Sequence, residues 1–304
     1  MLIVNFLVDK RRYLTMIKYK SLLVVLIVSV FVGSFAYGSA KKMTVKSTDG
    51  IPIAYQVQGK GDIALVFVHC WCCNKGFWDA QVPYFSKHYQ VITLDLAGHG
   101  ESGSSRKEWT MEAYGHDVAA VVKELKLNKV ILIGHSMGGP VIVEAARLLP
   151  KQVFGLVAVD TLSNVEHKYS KEQFELFTAP LRKDFAKGTE NFLRAWMFTP
   201  KTDAKLIEKI VKVMSSASPE VGIQSFEGMF KQDLVAVLKE VKVPIRCINA
   251  DKFPTNIEAG KRHTVSFDAK IMKEVGHFLH MEDPETFNRL LEETVKELVK
   301  LSKK

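Results

Sequence analysis

The 304-residue chain is 47% apolar and 25% charged, a balance that excludes a disordered polyelectrolyte and is enough for one large domain or two small ones. Its formal net charge of +9 is unevenly spread: Lys10, Arg11, Arg12, Lys18 and Lys20 against Asp9 give residues 1–38 a charge of +4 and leave +5 for the rest. With no basic run in the body, that surplus reads as a solvated lysine-rich surface and calls for no nucleic-acid partner.

In "MIKYKSLLVVLIVSVFVGSFAYGSA", Lys18 and Lys20 precede an apolar run over 22–36 that ends in small residues, the layout of a secretory signal. The expectation is an exported protein, periplasmic or secreted, with residues 1–40 removed and the mature chain starting near Ser39 or Lys41. The alternative is an uncleaved N-terminal membrane anchor, because the run approaches the ~20 residues of a span. Met16 stands just ahead of the lysines as a second candidate start.

From residue 41 onward strand and helix patterns alternate. "KMTVKST" and "IPIAYQVQG" read as a hairpin turning at Asp49-Gly50. "IALVFVH", "YQVITLDL", "KVILIG", "VFGLVAVD" and "VPIRCINA" are short apolar runs of the kind buried on both faces of a sheet. Helical periodicity falls between them, over 114–125, 140–149 and 285–300. The expected architecture is α/β, a mostly parallel central sheet flanked by helices in one domain over 41–304.

One interval, 161–242, carries no strand pattern and reads as a helical lid inserted after the sixth strand. Of its Phe174, Phe177, Trp196, Met197, Phe198, Met214, Phe226, Met229 and Phe230, most are expected to seam lid to core and a minority to make the pocket apolar.

The motif that carries chemistry is Gly134-His135-Ser136-Met137-Gly138. It ends a β-branched run and opens a helix with Pro140 in its first turn, where the missing N–H is harmless. A serine in so tight a strand-to-helix turn is held clear of the sheet, and the glycines remove side chains that would collide there. A hydroxyl needs a base and an acid to orient that base, and the chain order for this arrangement is serine, acid, histidine. In "EVGHFLHMEDPE", His277 is the expected base and His280 its rival. Asp251, directly after "VPIRCINA", is the expected acid; Asp160, ending "VAVD", is the alternative.

Cys70, Cys72 and Cys73 lie within four residues and Cys247 stands apart. Neighbours so close bridge only with strain, and no second ligand pair follows at a zinc-type spacing. The cluster is therefore expected to pack near the pocket as neither metal site nor essential disulfide.

Together "FVHCWCCNKGFWDAQVPYF", "VITLDLAGHGES", "LIGHSMGGPVI" and "VGHFLHMEDPE" resemble an α/β-hydrolase-fold protein with a helical lid, over about 42–301. The resemblance implies oxyanion donors from the backbone N–H groups of Trp71 and Met137. Two departures stand out: Cys70 replaces the glycine of the family's His-Gly turn, and Asp251 comes early after Ala250. The implied function is a carboxylesterase-like serine hydrolase that cleaves a small to medium apolar ester through an acyl-enzyme, without cofactor or metal. Other readings are a lactonase, a carbon–carbon bond hydrolase or a perhydrolase on the same fold, or a ligand-binding sensor with a slow triad.

Overall fold

The computed structural model describes residues 41–303. The signal or anchor expected over 1–40 lies outside the described residues, among which no helix is long and apolar enough to cross a membrane.

Strands β1 (Lys41–Lys46) and β2 (Pro52–Gln58) form the expected hairpin. Its turn closes through Gly50 at φ 85, whose N–H donates to the Ser47 carbonyl at 2.9 Å. Strands β3 (Ala64–Val68), β4 (Gln90–Leu94), β5 (Val130–His135), β6 (Val153–Val159), β7 (Ile245–Ala250) and β8 (Phe267–Met272) complete an eight-stranded sheet of order β1-β2-β4-β3-β5-β6-β7-β8. The β1–β2 and β2–β4 pairs are antiparallel and the rest parallel.

Every residue of β3 and β5 is buried, because helices cover both faces. Helices α1 (Met111–Glu124) and α2 (Gly138–Leu148) cover one, where Val66, Val68 and Leu132 pack with Tyr114, Val118 and Val141. Leu65, Phe67, Ile131 and Ile133 point the other way, onto Phe287, Leu291, Val295 and Leu298. This two-residue alternation is the strand period, and each large side chain so buried stabilises the fold by about 1.5–3 kcal/mol.

β8 was not legible as a strand. Only its end residues, Phe267 and Met272, are buried, and Asp268 and Lys270 lie between them. As the last strand of the sheet it lacks the double-sided burial that makes the others read as apolar runs.

Between β6 and β7 come α3 (Lys171–Lys183), α4 (Phe185–Trp196), α5 (Ala204–Ser215), α6 (Pro219–Lys231) and α7 (Leu234–Leu238). Their starts are encoded locally: Ser170 and Gln173 form a capping box on α3, Asp184 caps α4 through Lys187 N, and Asp203 caps α5 through Leu206 N. The chain then runs through β7, α8 (Ile257–His263) and β8 to α9 (Pro284–Leu301).

Leu298 on α9 is fully buried and covers Gly155 of β6, where even a methyl group would come within 3.0 Å of its side chain. Leu298→Ala is expected to cost about 2–5 kcal/mol of unfolding free energy in denaturant titration, with the native circular dichroism retained.

Candidate active site

Ser136 follows β5 at φ 53, in the left-handed region that costs a non-glycine residue on the order of 1 kcal/mol or more. Its N–H donates to the Val159 carbonyl of β6 at 2.9 Å, and its carbonyl accepts from Gly139 N at 2.8 Å. The flanking glycines are dictated by contact. A Cβ on Gly134 would lie 2.2 Å from the Gly138 carbonyl oxygen, and one on Gly138 only 2.7 Å from that of Val68. Helix α2 therefore starts against the end of β3, and Met137, whose N–H belongs to the helix end without internal acceptors, lies near the turn that follows His69.

His277 sits between β8 and α9. Its backbone N–H donates to the Met197 carbonyl at the end of α4 at 2.8 Å, and its Nδ1 meets Asp160 Oδ2 at 2.6 Å. The other oxygen of Asp160, Oδ1, accepts from Ala250 N at 2.8 Å. An Nδ1–H engaged in this way leaves Nε2 as the basic nitrogen of the neutral ring.

The expected placement of Asp251 is corrected. Its side chain is exposed and accepts from Glu274 N at 3.1 Å, while its own N–H donates to the Met272 carbonyl. The carboxylate at the histidine is Asp160, the alternative. β6 and β7 are neighbours, so either tip lies within reach; Asp160 turns aside at φ 46, whereas Asp251 continues toward β8. The rival histidine, His280, is fully buried with its ring centroid 4.4 Å from that of Trp78.

Ser136, Asp160 and His277 line one cavity of about 830 Å³ together with Cys70 and Trp71, within the ~300–1,000 Å³ of small-molecule sites. Phe177, Phe192, Phe226 and Phe230 make one part of its wall aromatic, and Glu166, Lys168, Lys231 and Asp233 give it a charged rim. More of the aromatic and methionine side chains of 161–242 reach this cavity than amphipathic periodicity implied. Phe174 and Phe198 are outside its lining: Phe174 packs edge-on to Phe230, and Phe198 stacks on Phe278.

A family profile described as alpha/beta hydrolase fold matches residues 63–206. The chain superposes on a thermophilic esterase from Thermogutta terrifontis with a TM-score of 0.74 and 25% identity, covering 85% of this chain and 99% of that one. The chain belongs to the α/β-hydrolase fold superfamily. It is 23% identical over 263 residues to 3-oxoadipate enol-lactonase 2 of Acinetobacter baylyi, 84% of this chain and 97% of that protein. Over 117 residues, 38% of this chain and 41% of the other, it is 38% identical to a non-heme chloroperoxidase of Streptomyces lividans. These relatives support a hydrolase enzyme.

Around the site lie supports whose task motif spacing alone does not reveal. His69 accepts from Leu96 N at Nε2 (3.0 Å), so its Nδ1–H donates to the Cys70 carbonyl at 2.7 Å. His99 accepts from Cys72 N at 3.3 Å and donates to the Ala97 carbonyl at 2.9 Å. His135 Nε2 donates to the His277 carbonyl at 2.8 Å. The Trp71 indole N–H donates to the Gly222 carbonyl of α6 at 2.7 Å. The pairing of each imidazole with one acceptor or donor of known type is the signal that fixes its tautomer.

The cysteine expectation is also corrected. Cys70 and Cys73 are joined by a disulfide with Cα atoms 5.3 Å apart. Spacing arguments assume an ordinary backbone between the two; here Cys72 takes φ 54 and folds the chain back, so that Cys73 N donates to the Cys70 carbonyl at 3.2 Å. Cys72 and Cys247 are buried free thiols, and burial pushes both up. Among the described residues no group of three or more His, Cys, Asp or Glu is placed to hold a metal ion.

Burial lowers four histidines: His69 and His135 fall below the usual histidine value, and His99 and His280 drop to about 3. Protons then bind the unfolded chain preferentially, so stability is present above about pH 6.5 and is lost as pH falls toward about 3. Urea unfolding should show a drop of at least about 2 kcal/mol between pH 7 and pH 5. A flat profile would mean that these rings are charged in the fold.

Proposed function

We propose that this chain is a serine hydrolase that cleaves small to medium apolar carboxylic esters through an acyl-enzyme. The observation that carries the reading is the 2.6 Å contact between His277 Nδ1 and Asp160 in the cavity that Ser136 also lines. In this reading Ser136 Oγ attacks the ester carbonyl while His277 Nε2 takes its proton. Asp160 stabilises the imidazolium through Nδ1–H. The N–H groups of Trp71 and Met137 receive the developing oxyanion, where one donor is worth about 3 kcal/mol. His277 then protonates the leaving alcohol, and a water deprotonated by the same ring releases the acid. The chemistry calls for no metal or cofactor.

The aromatic wall of the cavity favours an apolar acyl or alcohol group, as desolvating such a group there is favourable by roughly 25 cal/mol per Å². A lactone is an ester whose leaving group stays tethered, so the same machinery would open one. The match to an enol-lactonase over 97% of that protein's length supports testing both substrate types. Because lysines precede a short apolar run ending in small residues, we place the activity outside the cytoplasm. Intact-mass analysis of protein from its native host should give a mature start near Ser39 or Lys41; a full-length, detergent-extracted species would indicate an anchor.

The deciding experiment is a panel of p-nitrophenyl esters of increasing chain length with simple lactones, alongside fluorophosphonate labelling. Ser136→Ala should abolish labelling and burst-phase acylation with the fold intact, and His277→Ala should be nearly as severe. Asp160→Asn should lower turnover by on the order of 10⁴, because an amide cannot support the imidazolium, while Asp251→Asn should stay within a few-fold of the parent. Turnover below about one per minute on every substrate, against the ~10 s⁻¹ typical of enzymes, would favour the ligand-sensor reading. Labelling that persists in Ser136→Ala would overturn the mechanism.

A further inference from the structure

The turn after β3 departs from the family pattern where a small change of backbone angle matters most. Trp71 N and the Cys70 carbonyl belong to one peptide unit, which is trans, so its N–H and C=O point in opposite directions. Two donors pin the carbonyl end: His69 Nδ1–H at 2.7 Å and Cys73 N–H at 3.2 Å. Whatever holds those donors in place also aims the Trp71 N–H.

The His69 donor is itself fixed by Leu96 N. Cys73 N reaches the carbonyl only because Cys72 adopts φ 54, a conformation unfavourable for a residue other than glycine. A 3.3 Å bond from Cys72 N to His99 gives that conformation partial support. The Cys70–Cys73 bond supplies the rest, tying the two ends of the turn at a Cα separation of 5.3 Å.

We propose that the Cys70–Cys73 disulfide is a positioning element of the oxyanion hole, clamping the Cys70–Trp71 peptide so that the Trp71 N–H stays directed at the developing oxyanion. The inference rests on the serine-hydrolase reading of Ser136. Cys70 does not take a left-handed φ, so a glycine's freedom is not required there, and the position is open to a side chain that does a different job. Both sulfur-bearing residues are almost wholly buried and Cys70 lines the cavity, which suits a permanent clamp.

The test uses the full-length protein, oxidised or treated with tris(2-carboxyethyl)phosphine, which delivers two electrons to the S–S bond while one water supplies the oxygen of the phosphine oxide and the two protons of the thiols. Intact mass verifies the gain of two hydrogens. Ester turnover is read with the affinities of an alkylboronic acid, which forms a tetrahedral adduct on the serine, and of the matching amide, which binds without becoming tetrahedral. Opening the clamp should lower kcat on the order of 10- to 100-fold, short of the full loss of a donor, and weaken the boronate by a similar factor. KM and amide affinity should stay within about twofold, and reoxidation should restore kcat. Cys73→Ser and Cys70→Ala/Cys73→Ala, checked for native near-UV circular dichroism, make the same comparison without a reductant. Equal kcat in the oxidised and opened proteins overturns the proposal, as does a parallel loss of boronate and amide binding, which would mark general loosening of the site. Failure of the oxidised protein to show Ser136-dependent labelling overturns the hydrolase reading and takes this inference with it.

Discussion

The left-handed turn at Ser136 is the constraint around which the molecule is arranged. It can be held only where β5 is flanked closely on both sides: β6 accepts the serine N–H through Val159, and β3 presents the Val68 carbonyl against Gly138. Those contacts require parallel neighbours in register, which in turn require helices on both faces to bury the continuous apolar strands. They also bring α2 against the end of β3, so the elbow and the cysteine turn meet at one place. The fold and the candidate site are thus two descriptions of the same set of backbone approaches.

The imidazole that meets Asp160 stands beside others held in quite different surroundings. His135 lies with its ring centroid 4.7 Å from that of His277, and His280 is 4.6 Å from His135. Were these rings charged, they would oppose formation of an imidazolium beside them. Burial keeps them neutral, and of these three neighbouring rings it is His277 that meets a carboxylate. Neutral rings can still hold backbone groups, as the bonds of His69, His99 and His135 show.

Much of this was written plainly in the chain. The double-sided burial of β3 to β7 produces apolar runs that no surface segment would carry, and the glycine-flanked serine between a strand and a helix has one economical explanation. What could not be read was whatever depends on a single backbone angle. Asp160 and Asp251 end adjacent strands, and only the φ of 46 at Asp160 decides which one turns toward the histidine. The disulfide likewise depends on the left-handed Cys72, an unusual state for a residue other than glycine. β8 is illegible for a different reason: an outermost strand with Asp268 and Lys270 exposed or half-exposed has no apolar signature. The aromatic side chains over 161–242 carried a correct chemical message, but helical period alone does not say whether a face meets a core or a void.

Among the bonds that join the helices between β6 and β7 to the site are Met197 O with His277 N and Gly222 O with the Trp71 indole. One bond holds the backbone of the histidine and the other the side chain of the cysteine turn. A hinged flap that swung clear would break both at once. The insert is thereby tied to the residues beneath it, and the exposed Glu166, Lys168, Lys231 and Asp233 give the cavity's edge its charge. Under the proposed serine-hydrolase reading, a substrate would meet that charged edge and the aromatic wall of Phe177, Phe192, Phe226 and Phe230 before it reached Ser136.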